Sequence, residues 1–200
     1  MQSIEKKVVS RIYGFGRGWA FSQNDFSEYG SRSSIDIALH RLNEKGTIRR
    51  VIRGIYDYPR FSKLLNKDLG PDIHQVAVAL SRKFGWRIQA NGHTALNVLG
   101  LSTQVPGVYV YLSDGPNRSY EISSTTLTFK KTVLKESGFK LRESSLIVQS
   151  LKQIGQDRIT PEIIAHLKEW IDPNLKAKVL KDTHTVTAWI YEIIKQICLE

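Results

Sequence analysis

The chain has 200 residues, enough for one large domain or two small ones. Its 41% hydrophobic and 24% charged content is ordinary for a globular protein, and no apolar run approaches the ~20 residues that a membrane-spanning helix needs. A single cysteine, Cys198, excludes an internal disulfide framework and a cysteine-rich zinc site, while 29 Lys+Arg against 19 Asp+Glu give a net charge of +10, a field that favours polyanions such as nucleic acid.

The first segment, MQSIEKKVVSRIYG, lacks an apolar stretch followed by a small-residue cleavage site, so no secretory signal is expected and a cytoplasmic location is. Within it Ile4, Val8 and Ile12 recur every four residues and mark one face of a helix. The closely spaced glycines of GFGRGW end that helix. A short second helix is expected in FSQNDFSEYG, with Ser22 as N-cap, Asp25 completing a capping box and Gly30 in the left-handed region at its end. A third follows from Ser31 or Ser33 to Gly46, burying Ile35, Ala38, Leu39 and Leu42. Thr47–Ile52 then reads as a strand, Arg53-Gly54 as a tight turn and Ile55–Tyr58 as the returning strand. Helix, short helix, helix and basic hairpin form the layout of a winged helix-turn-helix, expected over residues 1–60.

Residues 61–71 read as a linker or docking strap ending in Gly-Pro-Asp, with Phe61, Leu64 and Leu65 expected to pack against something. The second domain is expected over 72–200. It opens with an amphipathic helix that places Ile73, Val76, Ala77, Leu80 and Phe84 on one side. A short strand, WRIQA, and a short helix, HTALNVLGL, come next. VYVYLSDGPNRSYEI gives a hairpin signal centred on Asp114-Gly115-Pro116-Asn117, and TTLTFKKT adds a third strand with Leu127 and Phe129 on one face. The rest is helical: one helix on Leu146, Ile147, Leu151 and Ile154, one beginning at Pro161, and one from about Asn174 to the end. The fold class is therefore α+β: a winged helix-turn-helix, then a mixed domain with a small antiparallel sheet and C-terminal helices.

The chemistry concentrates in the first domain. Between Ser31 and Arg60 there are seven basic residues and three acidic ones. In a helix-turn-helix the second motif helix enters the major groove. Here its outward positions are Ser33, Ser34, Asp36, Ile37, His40 and Arg41, with Arg32 at its start. Ser, His and Arg donate to base edges or phosphates, and Arg41 is placed to read a guanine. Arg49, Arg50 and Arg53 crowd the hairpin, where a planar guanidinium fork suits phosphate. The DNA-binding set is thus Arg32, Ser33, Ser34, His40, Arg41, Arg49, Arg50 and Arg53. A solvated polar face and an edge strand guarded by charge are the plainer readings of the same residues.

No catalytic constellation emerges. His40, His74, His93, His166 and His184 each stand alone in the sequence. Gly14, Gly16 and Gly18 do not follow a strand and lack a following Lys-Ser or Lys-Thr, so a turn explains them better than a phosphate loop. No catalytic residue, metal ligand or cofactor is expected, and the protein is not expected to be an enzyme.

GWAFSQNDFSEYGSRSSIDIALHRLNEKGTIRRVIRGIYDYP (residues 18–59) resembles the N-terminal winged helix of AbiEi-type antitoxins. NGHTALNVLGLSTQVPGVYVYLSDGP (residues 91–116) resembles the domain that follows it in that family. The resemblance extends over residues from about 4 to 155. It implies the antitoxin of a type IV toxin–antitoxin pair linked to abortive infection by phage. Such an antitoxin represses its own operon by binding double-stranded operator DNA, and opposes a nucleotidyl-transferase toxin without necessarily forming a stable complex. By resemblance the Ser33–Arg41 helix and the Arg49, Arg50, Arg53 wing would contact the operator. The alternative is a stand-alone winged-helix regulator whose C-terminal domain binds an effector or dimerises.

Overall fold

A computed structural model describes residues 3–102, 104, 106–132 and 139–199, and its fold is α+β. The chain forms two compact units, Met1–Arg87 with Ser119–Leu127, and Ile88–Arg118 with Thr128–Glu200.

In the first unit Ser3 caps α1 (Ile4–Phe15), its hydroxyl accepting from the Lys6 amide, and Gly16 ends the helix. A two-residue strand, β1 (Ala20–Phe21), leads into a 3-10 helix (Gln23–Tyr29). The expected capping box at Ser22 is present: the Ser22 amide donates to Asp25 Oδ2 at 2.8 Å, and the Asn24 amide to Ser22 Oγ at 3.2 Å. Gly30 is not left-handed but extended, at φ 163°. Then come α2 (Arg32–Glu44), capped by Ser31, and the strands β2 (Arg49–Ile52) and β3 (Ile55–Asp57). The sheet order is β1-β3-β2, all antiparallel. Val8, Ile12, Trp19, Phe21, Phe26, Ile35, Leu39, Leu42 and Ile48 form one buried cluster, so the apolar stripes of α1 and α2 meet over this sheet. Burying each large side chain contributes about 1.5–3 kcal/mol.

The expected linker is instead a second hairpin, β4 (Phe61–Ser62) with β5 (Lys67–Asp68), and Asn66 at φ 48° helps close it. Its apolar residues do not pack as expected: Leu64 is 94% exposed and Leu65 56%. α3 (Ile73–Phe84), capped by Asp72, buries Val76, Ala77, Ala79 and Leu80. It packs against β1, β3 and the 3-10 helix. The first unit therefore runs to Arg87, where the sequence reading begins a second domain at residue 72. An amphipathic stripe tells that a helix has a buried side, not which core receives it.

Beyond Arg87, β6 (Ile88–Ala90) leads to α4 (Gly92–Val98), capped by Asn91. β7 (Val108–Ser113), β8 (Arg118–Ile122) and β9 (Thr125–Lys131) complete a four-stranded sheet ordered β6-β7-β9-β8. The expected hairpin between 108–113 and 118–122 is therefore not formed. The tight turn falls at Ser123-Ser124, with Ser123 at φ 53°, so β9 lies between the two. Asp114-Gly115-Pro116-Asn117 makes a wider connection, fastened where the Lys131 amide donates to Asn117 Oδ1 at 2.7 Å and the Thr132 amide to the Ser113 carbonyl.

In the second unit α5 (Arg142–Ile154) packs on α4 so closely that a Cβ on Gly92 would lie 2.7 Å from that of Gln153. Leu141 precedes α5 without a side-chain cap of its own; Asp182 supplies one, accepting from the Lys140 and Leu141 amides at 2.9 and 3.0 Å. Burial raises the Asp182 pKa, but those two amides, joined by the Ser144 hydroxyl and the Lys140 charge, make the net shift downward. α6 (Pro161–Trp170) carries His166, whose ring nitrogen meets the Leu99 carbonyl at 2.6 Å. The single final helix expected from the sequence is two, α7 (Lys176–Asp182) and α8 (Ala188–Leu199). At the break the buried Thr183 hydroxyl donates to the Val179 carbonyl at 2.8 Å, and His184 Nδ1 meets the Lys181 carbonyl, groups that compete with helix continuation. Among the described residues no helix is long and apolar enough to cross a membrane.

Candidate nucleic-acid interface

The site is built on α2 and the β2–β3 hairpin of the first unit. Ser31 Oγ accepts from the Ser34 amide at 3.3 Å, which fixes the start of α2. With Ile35, Ala38, Leu39 and Leu42 buried, Arg32, Ser33, Asp36, Ile37, His40 and Arg41 are exposed. Ser34 is only half-exposed and belongs to the cap, its hydroxyl 2.8 Å from that of Ser31. Ser33 is 3.2 Å from the same oxygen. His40 Nε2 lies 3.4 Å from Glu44 Oε1, one turn along. Ile37, 52% exposed, gives the face an apolar contact of the kind that suits a thymine methyl.

Arg32 is oriented from outside the helix. With its amide turned to satisfy its partners, Gln23 accepts from Arg32 Nε at 2.8 Å and donates to Asp36 Oδ2 at 3.0 Å. A surface depression of about 310 Å³ adjoins it, lined by Gln23, Asn24, Ser27, Gly30, Arg32 and Ile35.

The three arginines of the hairpin are not equivalent. Arg49 Nε and Nη2 hold Asp57 Oδ1 and Oδ2 at 3.1 and 2.5 Å, a bidentate pair, and Nη1 donates to the Leu69 carbonyl at 2.9 Å. Asp57 is 1% exposed, and burial pushes its carboxyl up against the opposing pull of Arg49. Arg49 thus fastens the base of the hairpin to the loop after β5, with each of its three guanidinium nitrogens already donating within the fold. Arg50 and Arg53 are exposed, and their guanidinium groups make no hydrogen bond or ion pair among the described residues. Their backbones are tied instead: the Arg50 amide donates to Asn43 Oδ1 at 2.9 Å, and the Arg53 carbonyl accepts from Lys83. Of the eight residues singled out from the sequence, Arg32, Ser33, His40, Arg41, Arg50 and Arg53 remain outward-facing, while Ser34 and Arg49 are engaged in the fold.

Sequence reasoning missed the contribution of α3. Arg82 reaches Asp25 Oδ1 at 2.7 Å and the Ala20 carbonyl at 2.8 Å, and Lys83 reaches the carbonyls of Arg53 and Gly54 at the hairpin turn. Two basic residues at a helix C-terminus carry no sign of where they dock; only the fold brings them here. Among the described residues no group of three or more His, Cys, Asp or Glu could hold a metal ion.

No curated protein matches this chain in sequence. Residues 7–179 match a family of unknown function, DUF6088, and the chain belongs to that family.

Proposed function

We propose that residues 4–58 are a winged helix-turn-helix and that the protein binds double-stranded DNA with α2 in the major groove and the β2–β3 turn beside it. The element order α1, β1, 3-10 helix, α2, β2, β3 with the sheet β1-β3-β2 supports this reading. The observation that carries it is the exposed set Arg41, Arg50 and Arg53, which have no carboxylate partner among the described residues and stand on the two elements such a domain offers to a duplex. Like charges gathered without counter-charges are relieved by an anion, and the phosphate backbone supplies a row of them.

The resemblance of residues 18–59 and 91–116 extends the reading to an antitoxin that represses its own operon and counteracts a nucleotidyl-transferase toxin in the cytoplasm. Two measurements test these steps separately. The full-length protein should bind the duplex upstream of its own gene more tightly than unrelated DNA, and equal affinity for both refutes operator recognition. Co-expression should rescue growth from an adjacent nucleotidyl-transferase gene. A harmless neighbour, together with specific DNA binding, would leave the stand-alone regulator in its place.

A further inference from the structure

Lys83 lies outside the segment that the sequence assigns to DNA contact, yet its ammonium sits over the hairpin turn. Nζ is 3.4 Å from both the Arg53 and the Gly54 carbonyl oxygens. Gly54 permits this approach: its φ is +73°, and a Cβ there would stand 2.5 Å from Nζ. From the other side, Asn24 Nδ2 donates to the Lys83 carbonyl at 3.1 Å, which pins the end of α3 to the 3-10 helix. The preceding residue is already neutralised, because the Arg82 guanidinium is bound to Asp25. Lys83 is not. An ammonium has three protons; the two carbonyls take two of them, and beyond these Nζ meets only the Phe84 ring, 5.5 Å away, and no carboxylate among the described residues.

Arg53 belongs to the same turn, its own carbonyl being one of the two that Lys83 holds, and Arg32 lines one depression with Asn24, the residue that holds the Lys83 carbonyl. Burial first, then the charges of Arg32 and Arg53, lower the Lys83 pKa. Among the described residues no carboxylate forms an ion pair with any of the three. Asp36, one turn along α2 from Arg32, is engaged by Gln23, which also steadies Arg32. Three elements, the start of α2, the hairpin turn and the end of α3, therefore bring three positive groups to one place with no direct ion pair to a carboxylate among the described residues.

We propose that Arg32, Arg53 and Lys83 form a clamp for a single backbone phosphate of duplex DNA, so that α3 is part of the interface. This rests on the DNA-binding reading above. A clamp of this kind fixes the register of α2 in the groove and carries no sequence information itself.

The test uses the full-length protein and a short random-sequence duplex, with affinity followed against KCl concentration. Each phosphate neutralised contributes about 0.9 to the slope of log K on log salt. The triple variant Arg32→Gln, Arg53→Gln, Lys83→Met should lose about 0.9 in all, because one shared phosphate is lost. A loss near 2.7, three independent contacts of about 0.9 each, overturns the clamp, and so does an unchanged slope. Lys83→Met keeps the aliphatic stem. If the triple variant nevertheless melts early, Arg32→Gln with Arg53→Gln alone, which leaves Lys83 on the shared phosphate, should lose no more than about 0.9, against about 1.8 for separate phosphates. Wild-type protein with no affinity for duplex at low salt overturns the DNA reading and the clamp with it; wild-type binding with an unaltered triple variant overturns the clamp alone.

Discussion

The base and the tip of the β2–β3 hairpin carry the same side chain and use it in opposite ways. At the base, Arg49 is enclosed between Asp57 and the Leu69 carbonyl, and its charge is consumed by the fold. Further along, Arg50 and Arg53 stand in solvent with their guanidinium groups unpaired among the described residues. A run of arginines is thus not one feature. Each charge is structural or available according to whether a buried acid faces it, and only the second kind is open to a polyanion.

The sharpest test of this division is stability. Removing one partner of a buried pair leaves the other charge uncompensated, at a loss of about 3 kcal/mol or more. Asp57→Ala and Arg49→Ala should each destabilise the first unit by about that much, lowering its melting midpoint by roughly 10 °C or more at ~4 °C per kcal/mol. Arg50→Ala should stay within about 0.5 kcal/mol of wild type. Thermal unfolding followed by circular dichroism reads both, and equal losses at Arg49 and Arg50 would erase the distinction.

DNA binding should sort the same residues in reverse. Arg50→Ala with Arg53→Ala should leave the melting curve in place while reducing the salt slope by about 0.9 for the Arg50 phosphate, with less than about 0.9 more from Arg53, whose shared phosphate Arg32 and Lys83 still hold. Arg49→Lys, which keeps the charge but breaks the bidentate geometry, should lose stability and retain its salt slope.

A pinned charge in the second unit gives a smaller effect with a pH signature. Asp182 caps α5 through the Lys140 and Leu141 amides, and its folded pKa lies below the ordinary 3.8. A depressed carboxyl contributes stability that is present above the unfolded pKa and is lost as pH falls through the folded one. Asp182→Asn should therefore cost about 1 kcal/mol at neutral pH, the worth of a helix cap. Its stability should also depend less on pH below about 4 than wild type does. An unchanged acid profile would show that the cap is energetically idle.

Much of the first unit was legible because local rules and packing agree there. The stripe Ile35, Ala38, Leu39, Leu42 and the caps at Ser22 and Ser31 are short-range signals, and tertiary structure keeps them. What was not legible depends on register. A regular two-residue turn at Arg53-Gly54 would set Arg50 opposite Asp57. An irregularity between Arg50 and Ile52 shifts the pairing so that Arg49 meets it instead. The four-stranded sheet was misread for a similar reason: Asp-Gly-Pro-Asn is a strong turn sequence, yet the tighter turn at Ser123 decides which strand lies between β7 and β8. β1 is two residues long, too short for any alternation to show. The site was legible as a region and not residue by residue, since a sequence displays charges but not the acids that face them.

The smallest expected effect concerns the other hairpin of the first unit. Phe61, Leu64 and Leu65 are apolar residues in a polar stretch, a pattern that predicts packing against something. Leu64 instead lies 94% exposed at the tip of β4–β5, between Lys63 and Lys67. The hairpin is held from its base, by Arg49 on the Leu69 carbonyl, the Leu69 amide on the Arg60 carbonyl, and the Arg60–Asp72 ion pair at 2.9 Å. An apolar side chain already in water contributes almost nothing when removed, so Leu64→Ser should change stability by less than about 0.5 kcal/mol. Arg49→Ala should release the same hairpin to proteolysis, because it cuts the attachment and not the tip. A Leu64→Ser variant that lost as much stability as Arg49→Ala would mean that the tip is anchored after all, and the division between fastened base and free tip would fail in both hairpins.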